Sequence, residues 1–209
     1  NCVVGEKDRT QAIIYYNEVL PKLEKTQKAR VLTQLGHLYE LTGQSDKAVE
    51  LYKQSISSSD DPLFVSEAQL ALAEIHFKKG QFAMALERYN SVLSEKTSQK
   101  RSLAAYRRAW CLFNLGKTQE SEESLLEILN NPKLLNRSGG DIVAVDLQYK
   151  SEVARDLATF MAKNGAGIDK AKILYHHSPE KVKLSNISYL AGELERLGQK
   201  KDAVEVYRF

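Results

Sequence analysis

Few side chains in this sequence are arranged for chemistry. His176 and His177 are adjacent, but neighbours on a helix point about 100° apart and cannot share a metal face. Zinc usually takes three or four ligands, and no Cys or His stands near them, so the pair reads as a helix end beside its last carbonyls. His37 and His76 are isolated. Cys2 and Cys111 make neither a disulfide framework nor a metal site, and Cys111, among apolar residues, reads as a buried thiol. Cys2 near the start raises lipidation, but Asn1 is a poor residue to precede a lipidated cysteine. No Ser or Cys sits in a nucleophile motif, and no glycine-rich phosphate loop occurs. Gly139–Gly140 reads as a flexible loop. The triplets at 136–138 and 186–188 fit the glycosylation pattern, which is too short to carry an argument. No catalytic residue, metal or cofactor is expected, and the chain reads as non-enzymatic.

The remaining constellation is apolar. Tyr106, Trp110 and Phe113 fall at i, i+4 and i+7, one side of a helix whose neighbouring face is already supplied by Ala105, Ala109 and Leu112. Phe77 extends the set from an earlier helix. These aromatics either pack against neighbouring helices or the segment 130–145, or they form a partner-binding hot spot, where Trp and Tyr are enriched. The basic run Lys96, Lys100, Arg101, Arg107, Arg108 and the acidic run Glu120, Glu122, Glu123, Glu127 read as solvated faces.

The elements that hold these residues are helical. Leu32, Leu35, Gly36 and Tyr39 make one helix face, and Ala48, Leu51, Tyr52, Ser55 and Ile56 another. Gly43 between them suits a helix C-cap, with Ser45 as the next N-cap and Asp46 adding charge at that helix start. Helices are predicted near 7–24, 27–42, 45–57, 63–79, 82–94, 99–115, 118–130, 146–164, 168–177, 181–197 and 200–209. Asp60, Asp61 and Pro62 start the fourth, an acidic cap with Pro at the first turn. Pro132 and Gly139–Gly140 break the pattern, so 130–145 reads as a loop insertion, with Ile142–Val145 at the start of the next helix.

The pattern repeats. Turn glycines recur at 43, 80, 116, 165 and 198. Seven residues before each stands a small residue: Gly36, Ala73, Ala109, Ala158 and Ala191. Five residues after the glycines come Ala48, Ala85, Ser121 and Ala203, and six after the fourth comes Ala171; four residues further stand Tyr52, Tyr89, Leu125, Tyr175 and Tyr207. The small residues let two helices cross closely, and the large ones fill the gap to the next pair. This helical hairpin resembles the tetratricopeptide repeat (TPR). The glycine spacings of 37, 36, 49 and 33 are mostly longer than the family's ~34. Its usual bulky aromatic one turn before the small residue is absent, and Arg108 replaces the apolar residue seen at Leu35.

The resemblance implies an all-α, right-handed TPR-like solenoid over residues 1–209, with about five hairpins and an orphan second-type helix at 7–20, where Ala12 and Tyr16 match Ala48 and Tyr52. An unpartnered first helix and a last helix stopping at Phe209 read as an excised piece of a longer array. It also implies that Phe77, Tyr106, Trp110 and Phe113 line an inner groove that binds a protein or peptide partner. The carboxylate-binding groove of some chaperone-binding members is not reproduced by Arg30, His37, Glu74 and Phe77. Two stretches, 104–129 and 187–208, look like the long arrays of bacterial cell-envelope assembly and motility systems, which points to the periplasm or envelope. The alternative is a recruiting arm of an enzyme whose catalytic domain lies elsewhere. With 30 basic and 27 acidic residues, net +3, the charge is too balanced to argue for nucleic acid. No stretch approaches a membrane span.

Overall fold

The computed structural model describes residues 2–136 and 145–209. The predicted loop at Gly139–Gly140 and the start at Ile142–Ala144 lie outside them, as do two residues of the triplet at 136–138. Among the described residues there are eleven α-helices and no strand. The chain divides into two compact units, residues 1–100 and 101–209.

The first unit holds α1 (Cys2–Val19), α2 (Lys25–Leu41), α3 (Ser45–Ser58), α4 (Pro62–Lys78) and α5 (Phe82–Ser94). Helices α2 with α3 and α4 with α5 form antiparallel pairs, and α3 packs in turn on α4. The second unit holds α6 (Arg101–Asn114), α7 (Thr118–Asn130), α8 (Leu147–Lys163), α9 (Ile168–His177), α10 (Lys183–Arg196) and α11 (Lys200–Arg208). There α6 pairs with α7, α7 packs on α8, and α10 contacts α8, α9 and α11. The chain is thus all-α, built of TPR-like helix pairs.

The turn glycines do what their spacing suggests. Gly43, Gly80, Gly116, Gly165 and Gly198 all lie in the left-handed region, with φ from 71° to 79°, a conformation costly for a residue with a Cβ. At the first of them the Gly43 amide donates to the Glu40 carbonyl and Gln44 to that of Tyr39, closing a Schellman turn. The N-cap differs from expectation. Gln44 is the capping residue and Ser45 is the first helical one, and no side chain caps α3. The glycine ends its turn one residue earlier than a serine cap would need. At α4 the Asp61 carboxylate does cap, accepting from the Leu63 amide at 2.9 Å with Pro62 in the first turn.

The repeated small residues lie at helix crossings. Ala73, Ala109, Ala158 and Ala191 are fully buried. A Cβ on Gly36 would stand 2.5 Å from the Tyr52 ring, and that ring is tethered through its hydroxyl to His37 and Glu40, each at 2.7 Å. Gly36→Ala is therefore expected to cost the first unit roughly 1–3 kcal/mol by overpacking, outweighing the gain of about 1 kcal/mol in helix propensity. Urea denaturation followed by far-UV circular dichroism checks this; a midpoint at or above the parent's would show that the ring yields freely. Polar residues on these faces are satisfied locally: the buried Ser55 hydroxyl lies 2.8 Å from that of Thr33 and donates to the Ala29 carbonyl.

Three further expectations need correction. Tyr52, Tyr89 and Leu125 are fully buried, but Tyr175 and Tyr207 are 36% and 56% exposed, and Leu174 and Val206 are buried instead. In α9 the large residue buried with Ala171 is Leu174, three positions on rather than four. In α11 Tyr207 has the register of Tyr52, but no described helix plays the part of α4 over it. Helix α1 begins at Cys2 rather than Lys7, since Gly5 alone costs a helix only about 1 kcal/mol. Between α7 and α8 the described residues 131–136 are turn and irregular chain, and they are packed. Leu134 and Leu135 are buried, the Leu134 carbonyl accepts from Ser102 at 2.6 Å, and Asp146 bonds back to Leu135 before capping α8. Val145 precedes that helix rather than joining it.

Candidate functional site

Helix α6 has two working sides. Ala105, Ala109 and Leu112 are buried on the side that serves the pair with α7. Tyr106, Trp110 and Phe113 are half-buried beside them and meet α8 in register. The Tyr106 hydroxyl donates to Asp156 Oδ2, and the Trp110 indole donates to the same oxygen at 3.1 Å. One turn on, Phe160 is fully buried. Its ring stacks on Phe113 at 4.2 Å between centroids and stands edge-on to Trp110 at 5.1 Å. At the other end Tyr149 sits edge-on to Tyr106 at 5.8 Å and donates to the Ser102 carbonyl. The three aromatics thus form the seam between α6 and α8, with part of each ring left at the surface.

Burial governs the electrostatics of this seam. It pushes the Asp156 carboxyl above its ordinary range, the bonds from Tyr106 and Trp110 pull it down, and Glu152 and Arg155 add smaller opposing effects. Burial, then the bond to Asp156, also raises the Tyr106 phenol. The phenol and the indole both donate to the one carboxylate oxygen, an arrangement that holds the rings in place.

Phe77, the fourth expected residue, belongs to the first unit. It is half-buried, edge-on to Phe82 at 5.5 Å and to Tyr89 at 6.5 Å, within its own hairpin. In the same unit, α2 and α4 enclose a cleft of about 260 Å³ lined by His37, Glu40, Glu67, Leu70, Glu74 and Lys78 among others, and Phe77 is not part of its lining. Its groups are largely engaged at home. Tyr52 donates its one proton to Glu40, so His37 must donate to the Tyr52 oxygen. Glu40 is held below the usual carboxylate range, first by His37 and then by Tyr52 and Lys78, against burial. Glu74 accepts from Tyr89 at 2.6 Å.

Sequence reasoning missed Asp156 and Phe160. Their spacing of four on α8 matches that of Tyr106 and Trp110 on α6, which was the available signal. It also misread the acidic run. Glu122 is not solvated but 8% exposed, accepting from Lys170 at 2.7 Å and Asn164 at 3.0 Å. Arg108 from the basic run pairs with Glu127 at 2.7 Å and donates to Ser124. Asn186, in the triplet at 186–188, is buried and donates to Ser178, out of reach of a glycosylating enzyme in the folded unit. His176 and His177 have rings 5.2 Å apart, and burial, before His176, lowers His177. Among the described residues no three metal-ligating side chains converge, and no helix is long and apolar enough to cross a membrane.

The comparisons agree with this architecture. Residues 29–62, covering α2 and α3, match a tetratricopeptide repeat model, and residues 103–133, covering α6 and α7, match a second one. No curated protein matches the chain. The two matches support the TPR family, whose repeats generally mediate protein–protein interactions and are typically non-catalytic.

Proposed function

We propose that this chain is a non-catalytic scaffold that holds a segment of a protein partner on the aromatic face of α6, as part of an assembly complex of the kind its bacterial cell-envelope resemblance suggests. The observation that carries the proposal is the seam itself. Tyr106, Trp110 and Phe113 are fixed from behind by Asp156 and Phe160, so their remaining surface is pre-organised and loses little freedom on binding. Aromatic residues held in this way are the usual anchors of interfaces. Phe77 is the corresponding aromatic of the first unit and is proposed as a partner contact of that unit by itself.

Random peptides displayed on phage and selected on the protein test the proposal. Recovered peptides should bind the Trp110→Ala variant about thirtyfold more weakly, the equivalent of ~2 kcal/mol, while circular dichroism stays parental. Trp110→Phe, which keeps a ring against Phe160, guards against misfolding and should lose less. Peptides that bind all three proteins equally would remove α6 from the site.

A further inference from the structure

The end of α8 carries a side chain that can react with its own backbone. Asn164 is followed by Gly165, and no other asparagine in the chain precedes a glycine. We infer that Asn164 is a self-modification site: it loses its amide nitrogen to become an acid when the α8–α9 turn opens, and the acid uncouples α9 from α7. The chemistry needs only water. The Gly165 backbone nitrogen attacks the Asn164 side-chain carbonyl carbon, and the new C–N bond closes a five-membered imide. The old bond to Nδ2 breaks, and ammonia leaves with the proton of that backbone amide. Water then opens the imide at either carbonyl, restoring the backbone N–H and leaving an aspartyl or an isoaspartyl residue. Glycine favours closure because no Cβ hinders the attacking nitrogen, and Gly165 is exposed to water.

The fold holds this reaction back. Asn164 has ψ 7°, which turns the Gly165 nitrogen toward the Asn164 nitrogen and away from its Cβ. Closure requires that peptide to rotate, which breaks the bond from the Gly165 amide to the Ala162 carbonyl. The side chain is also held at both ends: Nδ2 donates to Glu122 at 3.0 Å, and Oδ1 accepts from Thr118 at 3.1 Å. Local opening of the turn therefore sets the rate. The product does not fit the same place. A carboxylate at position 164 has no proton to give Glu122, and it sets a second negative charge beside one that is 8% exposed and already bonded to Lys170 at 2.7 Å. Like charges in a desolvated site destabilise it. The isoaspartyl form also lengthens the backbone at the turn that Gly165 closes with its φ of 76°.

The purified chain is held in mildly alkaline buffer, folded and in guanidinium chloride, and peptide mass mapping follows the acid at position 164. In guanidinium Asn164 should convert ahead of every other asparagine. In the folded protein Thr118→Val, which frees Oδ1, should convert about fivefold faster than the parent, the weight of one hydrogen bond. Thr118→Ser keeps the hydroxyl and should convert at the parental rate, with parental circular dichroism in both variants. Asn164→Asp should unfold at lower urea, read through Trp110, than Asn164→Ala, which loses the bond to Glu122 without adding a charge. A first conversion elsewhere in guanidinium, a parental rate in Thr118→Val, or an Asn164→Asp midpoint at or above that of Asn164→Ala would overturn the inference.

Discussion

Phe160→Ala should destabilise the second unit by about 3–5 kcal/mol, the usual cost of emptying a fully buried aromatic site. Phe160 has no exposed surface and is the ring on which both Phe113 and Trp110 rest. Its loss removes area burial and two ring pairs, each worth ~0.5–1.5 kcal/mol beyond the area. The cavity cannot easily collapse, because Trp110 is also tied through its indole to Asp156. Urea unfolding followed by Trp110 emission reads this unit specifically, since the tryptophan lies within it. With a slope of about 2 kcal/mol per molar urea, the midpoint should fall by roughly 1.5–2.5 M. Phe160→Leu should recover part of the loss. A midpoint within ~0.3 M of the parent would mean that the seam is loosely packed and its aromatic surface is not held in place.

What could be read from the sequence follows the range of the forces involved. Turn glycines and small crossing residues were legible because they act within one hairpin: Gly43 answers to Glu40 and Tyr39, and Gly36 to Tyr52 sixteen residues on. Helix type and approximate bounds followed from the same local periodicity. The exchange of Tyr175 for Leu174 in α9 was not legible, because the positions three and four after Ala171 lie on the same side of the helix and only the neighbouring helices decide which is covered. The backing of the aromatic face was hidden for another reason. Asp156 lies 46 residues from Trp110, and Phe160 47 from Phe113, and only tertiary packing brings them together. An aspartate at a half-buried position looks like any other solvated charge until its two donors are seen.

Glu122 shows the same limit with a larger energetic consequence, and Lys170→Met should expose it. The Glu122 carboxylate is almost wholly buried. It accepts from Lys170, 48 residues on, and from Asn164, whose own oxygen accepts from Thr118 at 3.1 Å. The network joins α7, the end of α8 and α9. Removing one partner of a fully buried ion pair costs ~3–5 kcal/mol, because the other charge is left uncompensated. The Lys170 side chain is a quarter exposed, so solvent screens the pair and the expected loss is about 2–3 kcal/mol. The physical content lies in the comparison with the double variant. Glu122→Gln with Lys170→Met removes both charges and keeps an oxygen for Asn164. If the single loss reflects an orphaned charge rather than lost packing, the double variant should be more stable than Lys170→Met alone. Urea midpoints of the parent, the two single variants and the double variant, read through Trp110, give the coupling directly. A double variant less stable than Lys170→Met would show that the Glu122 carboxylate is not orphaned by the loss of Lys170 and still stabilises the unit through Asn164.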